Sequence, residues 1–171
     1  MAEYQQIDKV LPEEEKYKLI IKQSESILDN ALPLLSNLSN ITALLKQTFD
    51  KISWVGFYFN RDGILYLGPF QGKTACTKIN FGKGVCGKSI ETGETIVVED
   101  VEKFPGHIYC DAGSKSEIVV PIIKDDIKYG VLDLDSYIPA AFGNTDKIYL
   151  ERLIGILSEQ LNLDKLERLM I

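Results

Sequence analysis

The sequence predicts an α+β fold, and three observations carry that prediction. The first fifty residues have helical periodicity, the middle alternates aromatic and β-branched residues, and the end carries a long apolar stripe of period near 3.6. Helices, then mostly antiparallel strands, then a helix is the order of a sheet covered by helices. With no repeat, low-complexity tract or Gly/Ser/Pro-rich linker, the 171 residues are expected to form a single domain, 1–171. Its parts are N-terminal helices (1–50), a sheet with its loops (51–136) and a C-terminal helix (144–169).

Pro12-Glu13-Glu14-Glu15 makes a favourable first turn, because proline is tolerated there and carboxylates suit the positive end of a helix. Tyr17, Ile20, Ile21, Ser24, Ile27 and Leu28 continue it at helical spacing. Pro33 interrupts, and a second helix is expected from Ser39 or Asn40 through Leu44 and Leu45 to Phe49. Ile52–Phe59 is a strand by composition, Asn60-Arg61-Asp62-Gly63 is a turn, and Ile64–Leu67 returns as the second arm of a hairpin. A Gly-rich stretch, Gly68–Gly87, holds two cysteines. Thr95–Val98 reads as a strand. Ser116–Ile123 and Ile127–Asp135 form a second hairpin around Lys124-Asp125-Asp126. Thr145 or Asn144 is expected to cap the last helix, whose stripe is Ile148, Leu150, Leu153, Ile154, Leu157, Gln160 and Leu161.

Composition excludes several classes of function. The net charge is −6 and no basic stripe is present, which disfavours nucleic acid and membrane surfaces as partners. No apolar run reaches the roughly 18 residues of a membrane helix. The start, Met1-Ala2-Glu3-Tyr4-Gln5, has neither a basic flank nor an apolar stretch, so the expected compartment is the cytoplasm. Three cysteines in such a chain argue against a structural disulfide framework.

Strand alternation sorts the polar residues of the middle. Trp54, Gly56 and Tyr58 share one face of the first strand, opposite Val55, Phe57 and Phe59. The two aromatics are either one wall of a small pocket or ordinary packing on a partly covered face. Asp133 and Asp135 point together, away from Leu132 and Leu134, and a short turn would bring Glu117 beside them. That is either a solvated acidic face or a semi-enclosed cluster in which at least one carboxyl holds a proton near neutrality and can act as an acid. Cys76, Cys86 and Cys110 are either inert buried thiols or a nucleophile with a resolving partner. A Cys3His zinc site with His107 matches no common spacing, and no metal is expected. Gly82-Lys83-Gly84-Val85-Cys86-Gly87 has the letters of a dinucleotide loop without its βαβ context, so positive-φ loop glycines are the better reading.

Taken in order, Trp54-Val55-Gly56-Phe57-Tyr58, Leu67-Gly68-Pro69-Phe70-Gln71-Gly72, Ala75-Cys76, Gly84-Val85-Cys86-Gly87, His107-Ile108-x-Cys110-Asp111, Ser116–Pro121 and Gly130–Ser136 resemble the free methionine-(R)-sulfoxide reductases, a catalytic branch of the GAF superfamily. The resemblance implies a GAF-like antiparallel sheet of about six strands, helices on one face and a small-molecule pocket under loops on the other. It implies Cys110 as nucleophile, Cys76 as resolving thiol and Cys86 as a third cysteine, a structural or alternative recycling thiol or, in a minority assignment, the nucleophile. Trp54 and Tyr58 would line the pocket around the substrate's S-methyl end. Glu117 and Asp135 would address the sulfoxide oxygen, and Asp133 the α-ammonium. It further implies free methionine sulfoxide as substrate and no bound cofactor. Thioredoxin, supplied by NADPH and thioredoxin reductase, would be the external reductant. The amphipathic end helices offer a homodimer face. The competing expectations are a non-catalytic GAF sensor of small molecules and a thiol-based redox sensor or zinc protein.

Overall fold

In a computed structural model describing residues 7–108 and 110–166, helices α1 (Glu13–Ile27) and α2 (Leu34–Thr48) precede strands β1 (Trp54–Arg61), β2 (Ile64–Gln71) and β3 (Lys78–Asn80). Helix α3 (Gly84–Thr92), strand β4 (Ile96–Val98) and a short 3-10 turn (Val101–Lys103) follow. Strands β5 (Ser116–Lys124) and β6 (Ile127–Ser136) lead to helix α4 (Asn144–Gln160). The strands form one sheet of order β3-β2-β1-β6-β5-β4, antiparallel at every pairing. Among the described residues no helix is long and apolar enough to cross a membrane.

Both expected hairpins form, and both are closed by two-residue turns with positive φ: Asp62 and Gly63 in the first, Asp125 and Asp126 in the second. Such turns match the twist of the strands they join. Gly130 lets β6 approach β1 closely, because a Cβ there would lie 2.0 Å from the Tyr58 carbonyl oxygen.

One face of the sheet presents Val55, Phe57, Phe59, Ile118, Val120, Ile122, Leu132 and Leu134 to α1, α2 and α4. A partly buried polar hub ties α1 and α4 to the segment after α2. Lys51 Nζ pairs with Glu13 and donates to Asp146 Oδ1 (2.7 Å) and the Ala141 carbonyl (2.9 Å), while the Tyr17 hydroxyl donates to Asp146 Oδ1 (2.6 Å). The opposite face is smaller and carries α3, whose Val85, Cys86 and Ile90 pack with Tyr58, Val119 and Val131.

Several expectations need correction. Helix α2 starts at Leu34 because Pro33 sits at its N-cap and begins the helix instead of breaking it. The Asn37 side chain secures that turn against the Asp29 backbone at 2.9 Å. The cap of α4 is Gly143, whose N–H donates to Asp146 Oδ2 (2.8 Å). Helix α4 ends at Gln160, not near 169. Asn162 Oδ1 accepts the Asp164 N–H (3.0 Å) in a new turn that keeps Leu161, Leu163 and Leu166 in the core. The remainder of the expected helix, 167–169, lies outside the described residues. The expected layering, helices on one face and a pocket under loops on the other, is present, and the short α3 joins the loops on the pocket side.

Candidate active site

Register brings the predicted acids together. Glu117 pairs with Asp135 across β5 and β6, Asp133 with Gly56 and Asp135 with Trp54 across β6 and β1. All five side chains predicted to line a pocket, Trp54, Tyr58, Glu117, Asp133 and Asp135, line one cavity together with Cys76's neighbour Ala75, Cys86 and Cys110. The bland readings, a solvated acidic face and a loosely covered aromatic pair, are excluded: Glu117 and Asp133 are 5% and 6% exposed, and Tyr58 is 1% exposed.

The aromatic wall depends on a missing side chain. The Trp54 ring lies over Gly56, where a Cβ would meet it at 2.4 Å, and stacks on Phe70 at 5.6 Å between centroids. Trp54 Nε1 donates to the Lys73 carbonyl (3.0 Å) and the Tyr58 hydroxyl to the Cys76 carbonyl (3.0 Å). The wall thereby holds the segment that carries Cys76.

Cys76 and Cys110 are joined in a disulfide with Cα atoms 5.4 Å apart, linking the segment after β2 to the loop before β5. Cys110 is exposed and Cys76 half-buried. With these two cysteines paired, a Cys3His zinc site has no ligand set. Cys86 stands apart, free and buried in the first turn of α3. A helix N-terminus ordinarily favours a thiolate. Here burial dominates and, with Asp133 and Glu117 close by, pushes the Cys86 thiol well up.

The acids behave as a group. Burial raises Glu117 and Asp133 well above the carboxylate range; the Glu117 and Asp135 charges add to the rise of Asp133, and the Asp135 charge to that of Glu117, which a hydrogen bond with Asp133 partly offsets. Burial also lifts Asp135 to about 6, against a lowering hydrogen bond from Ser114. His107 lies with its Nε2 3.2 Å from Glu117 Oε2, and burial lowers its pKa against the raising charge of Asp135. Asp133 Oδ1 is buried without a hydrogen-bond partner. The arrangement offers proton donors and an open carboxylate acceptor beside a thiol pair.

The sequence offers His107 only as a fourth zinc ligand of unsuitable spacing, and it does not single out Ser114. For His107 the available signal was its place three residues before Cys110; for Ser114 it was nearness to the same loop alone.

A six-stranded antiparallel sheet with a small cavity between one face and its loops defines the class. The GAF domain family matches residues 33–163, and the chain belongs to it. Within that family it is similar to the free methionine-R-sulfoxide reductases of Saccharomyces cerevisiae (43% identical, covering 87% of each chain) and Escherichia coli (40% identical, covering 86% of this chain and 89% of that one). The structure of the free methionine-R-sulfoxide reductase of Neisseria meningitidis in complex with its substrate superposes with a TM-score of 0.90. That match is at 39% identity, over 98% of this chain and 99% of that one.

Proposed function

We propose that the protein reduces free methionine-(R)-sulfoxide to methionine with Cys110 as nucleophile. The observation that carries this reading is the Cys76–Cys110 disulfide at a cavity floored by three clustered carboxyls. A sulfoxide oxygen is a poor leaving group until protonated. Glu117 and Asp135 supply the acid, and the Cys110 thiolate attacks the sulfur. The protonated oxygen leaves as water with the S–O electron pair, giving a Cys110–substrate sulfonium; water then attacks Cys110 Sγ, the S–S pair stays on the methionine sulfur, and Cys110 keeps the oxygen as a sulfenic acid. The Cys76 thiol displaces that oxygen as water and forms the disulfide.

An external dithiol then reduces the disulfide by exchange, and exposed Cys110 suits such an attack. Thioredoxin, fed by NADPH through its reductase, fits that role in a cytoplasmic chain. No resident cofactor enters any step. The open Asp133 oxygen suits the α-ammonium of a free amino acid, and Trp54 with Tyr58 the S-methyl group. Cys86, hydrogen-bonded to Asp133, fits a positioning role better than recycling. The chain works as one domain, with α1 and α4 offering the surface for a homodimer.

The test is thioredoxin-coupled NADPH consumption on free methionine-(R)-sulfoxide. Cys110→Ser is expected to abolish it, and turnover retained in that variant would remove the nucleophile. Intact mass separates the enzyme from a sensor: the reduced protein should lose two hydrogens on treatment with the sulfoxide, and an unchanged mass favours the sensor.

A further inference from the structure

Cys86 is the cysteine lining the pocket that takes no covalent part in the reaction above. Its Sγ, a Glu117 carboxylate oxygen and an Asp133 carboxylate oxygen all lie within 4.8 Å of one another. The three come from α3, β5 and β6, so framework elements and not a loop hold them. Asp133 is 6% exposed, and its Oδ1 has no hydrogen-bond partner. A buried acceptor left open calls for a cation or a donor in the cavity. An ammonium group would satisfy the carboxylates but has no use for a thiolate, whereas a borderline-soft divalent metal uses all three groups. Magnesium and calcium want six or more oxygens, which this corner does not offer.

We propose that Cys86, Glu117 and Asp133 form a Zn2+ site in the pocket floor, and that metal bound there excludes the substrate's ammonium. Three protein ligands leave the fourth tetrahedral position to water. Ligand atoms around zinc stand roughly 3.3–3.7 Å apart when each bond is about 2.0–2.3 Å, so small side-chain rotations close the set. The Cys86 proton, and any proton held by the Glu117 and Asp133 carboxyls, leaves to solvent as the metal binds. Exclusion of substrate rests on the function proposed above, whereas metal binding does not.

Cobalt is the probe. In wild-type protein with the Cys76–Cys110 disulfide intact, Cys86 is the one remaining thiol of the three cysteines. A thiolate-to-cobalt charge-transfer band therefore reports it alone. The expected result is a band that saturates at one Co2+ per chain, is displaced by Zn2+ and is absent in Cys86→Ser. Asp133→Asn should weaken cobalt binding by more than about tenfold. No band in wild type, or a band that survives Cys86→Ser, overturns the site. Zinc-edge X-ray absorption of the unmutated protein covers the case of a variant that fails to fold: one sulfur at about 2.3 Å is expected, and a shell of oxygen and nitrogen alone overturns the proposal. In the Cys76→Ser/Cys110→Ser double variant, free methionine-(R)-sulfoxide at about 100 times its Kd should weaken cobalt binding about 100-fold. A cobalt band indifferent to the sulfoxide overturns the exclusion and counts against the substrate placement while leaving the metal site standing.

Discussion

Alternate residues of β1, β5 and β6 face opposite ways, and the two faces are filled by different rules. On the helical side Phe57, Ile118, Leu132 and Leu134 are fully buried, and their value lies in the apolar area three helices remove from water. On the other side Glu117, Asp133 and Tyr58 are almost as deeply buried, yet the first two are carboxyls beside a buried thiol, an arrangement that costs stability. One pleated sheet can do both because its side-chain period is two. The comparison teaches that burial alone does not mark a core: the helical face stabilises the fold, and the pocket face draws on that stability.

Four substitutions press on this contrast. The largest effect on activity belongs to the pocket side. Cys76→Ser is expected to let reduced protein make methionine in a single turnover and then stop, with the fold intact by circular dichroism. Continued steady-state turnover would mean that Cys110 is recycled without Cys76. On the helical side Phe57→Ala should cost about 3–5 kcal/mol in denaturant unfolding, while the folded fraction keeps its kcat. A loss of kcat without loss of stability would break the division between the faces.

The two-face arrangement was legible in the sequence because it follows from alternation. Val55, Phe57 and Phe59 against Trp54, Gly56 and Tyr58, and Leu132 and Leu134 against Asp133 and Asp135, needed only period two and hairpin turns to fall where they do. What the sequence hid was α3, a nine-residue helix that begins at Gly84 and contains Gly87. Both glycines lower helix propensity, yet Gly87 is needed there, since a Cβ would lie 2.3 Å from the Asn80 carbonyl oxygen. Gly93 in the left-handed conformation was the readable stop signal. The His107–Glu117 contact was hidden because it joins a loop to a strand, a proximity no local pattern encodes.

A third substitution reverses the usual sign. Asp133→Asn keeps the shape of the side chain and removes one of the carboxyls crowded into the floor. It should raise stability by about 1 kcal/mol while raising KM for free methionine-(R)-sulfoxide. If stability falls instead, the carboxyl is a structural support of the pocket face and the contrast between the faces weakens.

The smallest effect is local and concerns the loop that carries Cys110. Asp111 Oδ1 accepts the Gly113 N–H (2.9 Å), Oδ2 accepts the Tyr137 hydroxyl (2.7 Å), and Lys73 Nζ lies 3.1 Å from Oδ2. The Gly113 backbone bond, followed by the Tyr137 hydroxyl, holds the Asp111 carboxyl below its ordinary 3.8. A lowered folded-state pKa means that the contribution is present above that ordinary value and is lost as pH falls through the folded one. Asp111 is partly exposed, so the global Tm of Asp111→Asn should barely move. Hydrogen exchange across residues 110–115 should be faster in Asp111→Asn than in wild type at neutral pH, and the two should converge in acid below the lowered pKa. A constant difference at every pH would show that the shape of the side chain, and not its charge, ties the Cys110 loop to the segment carrying Lys73 and Cys76.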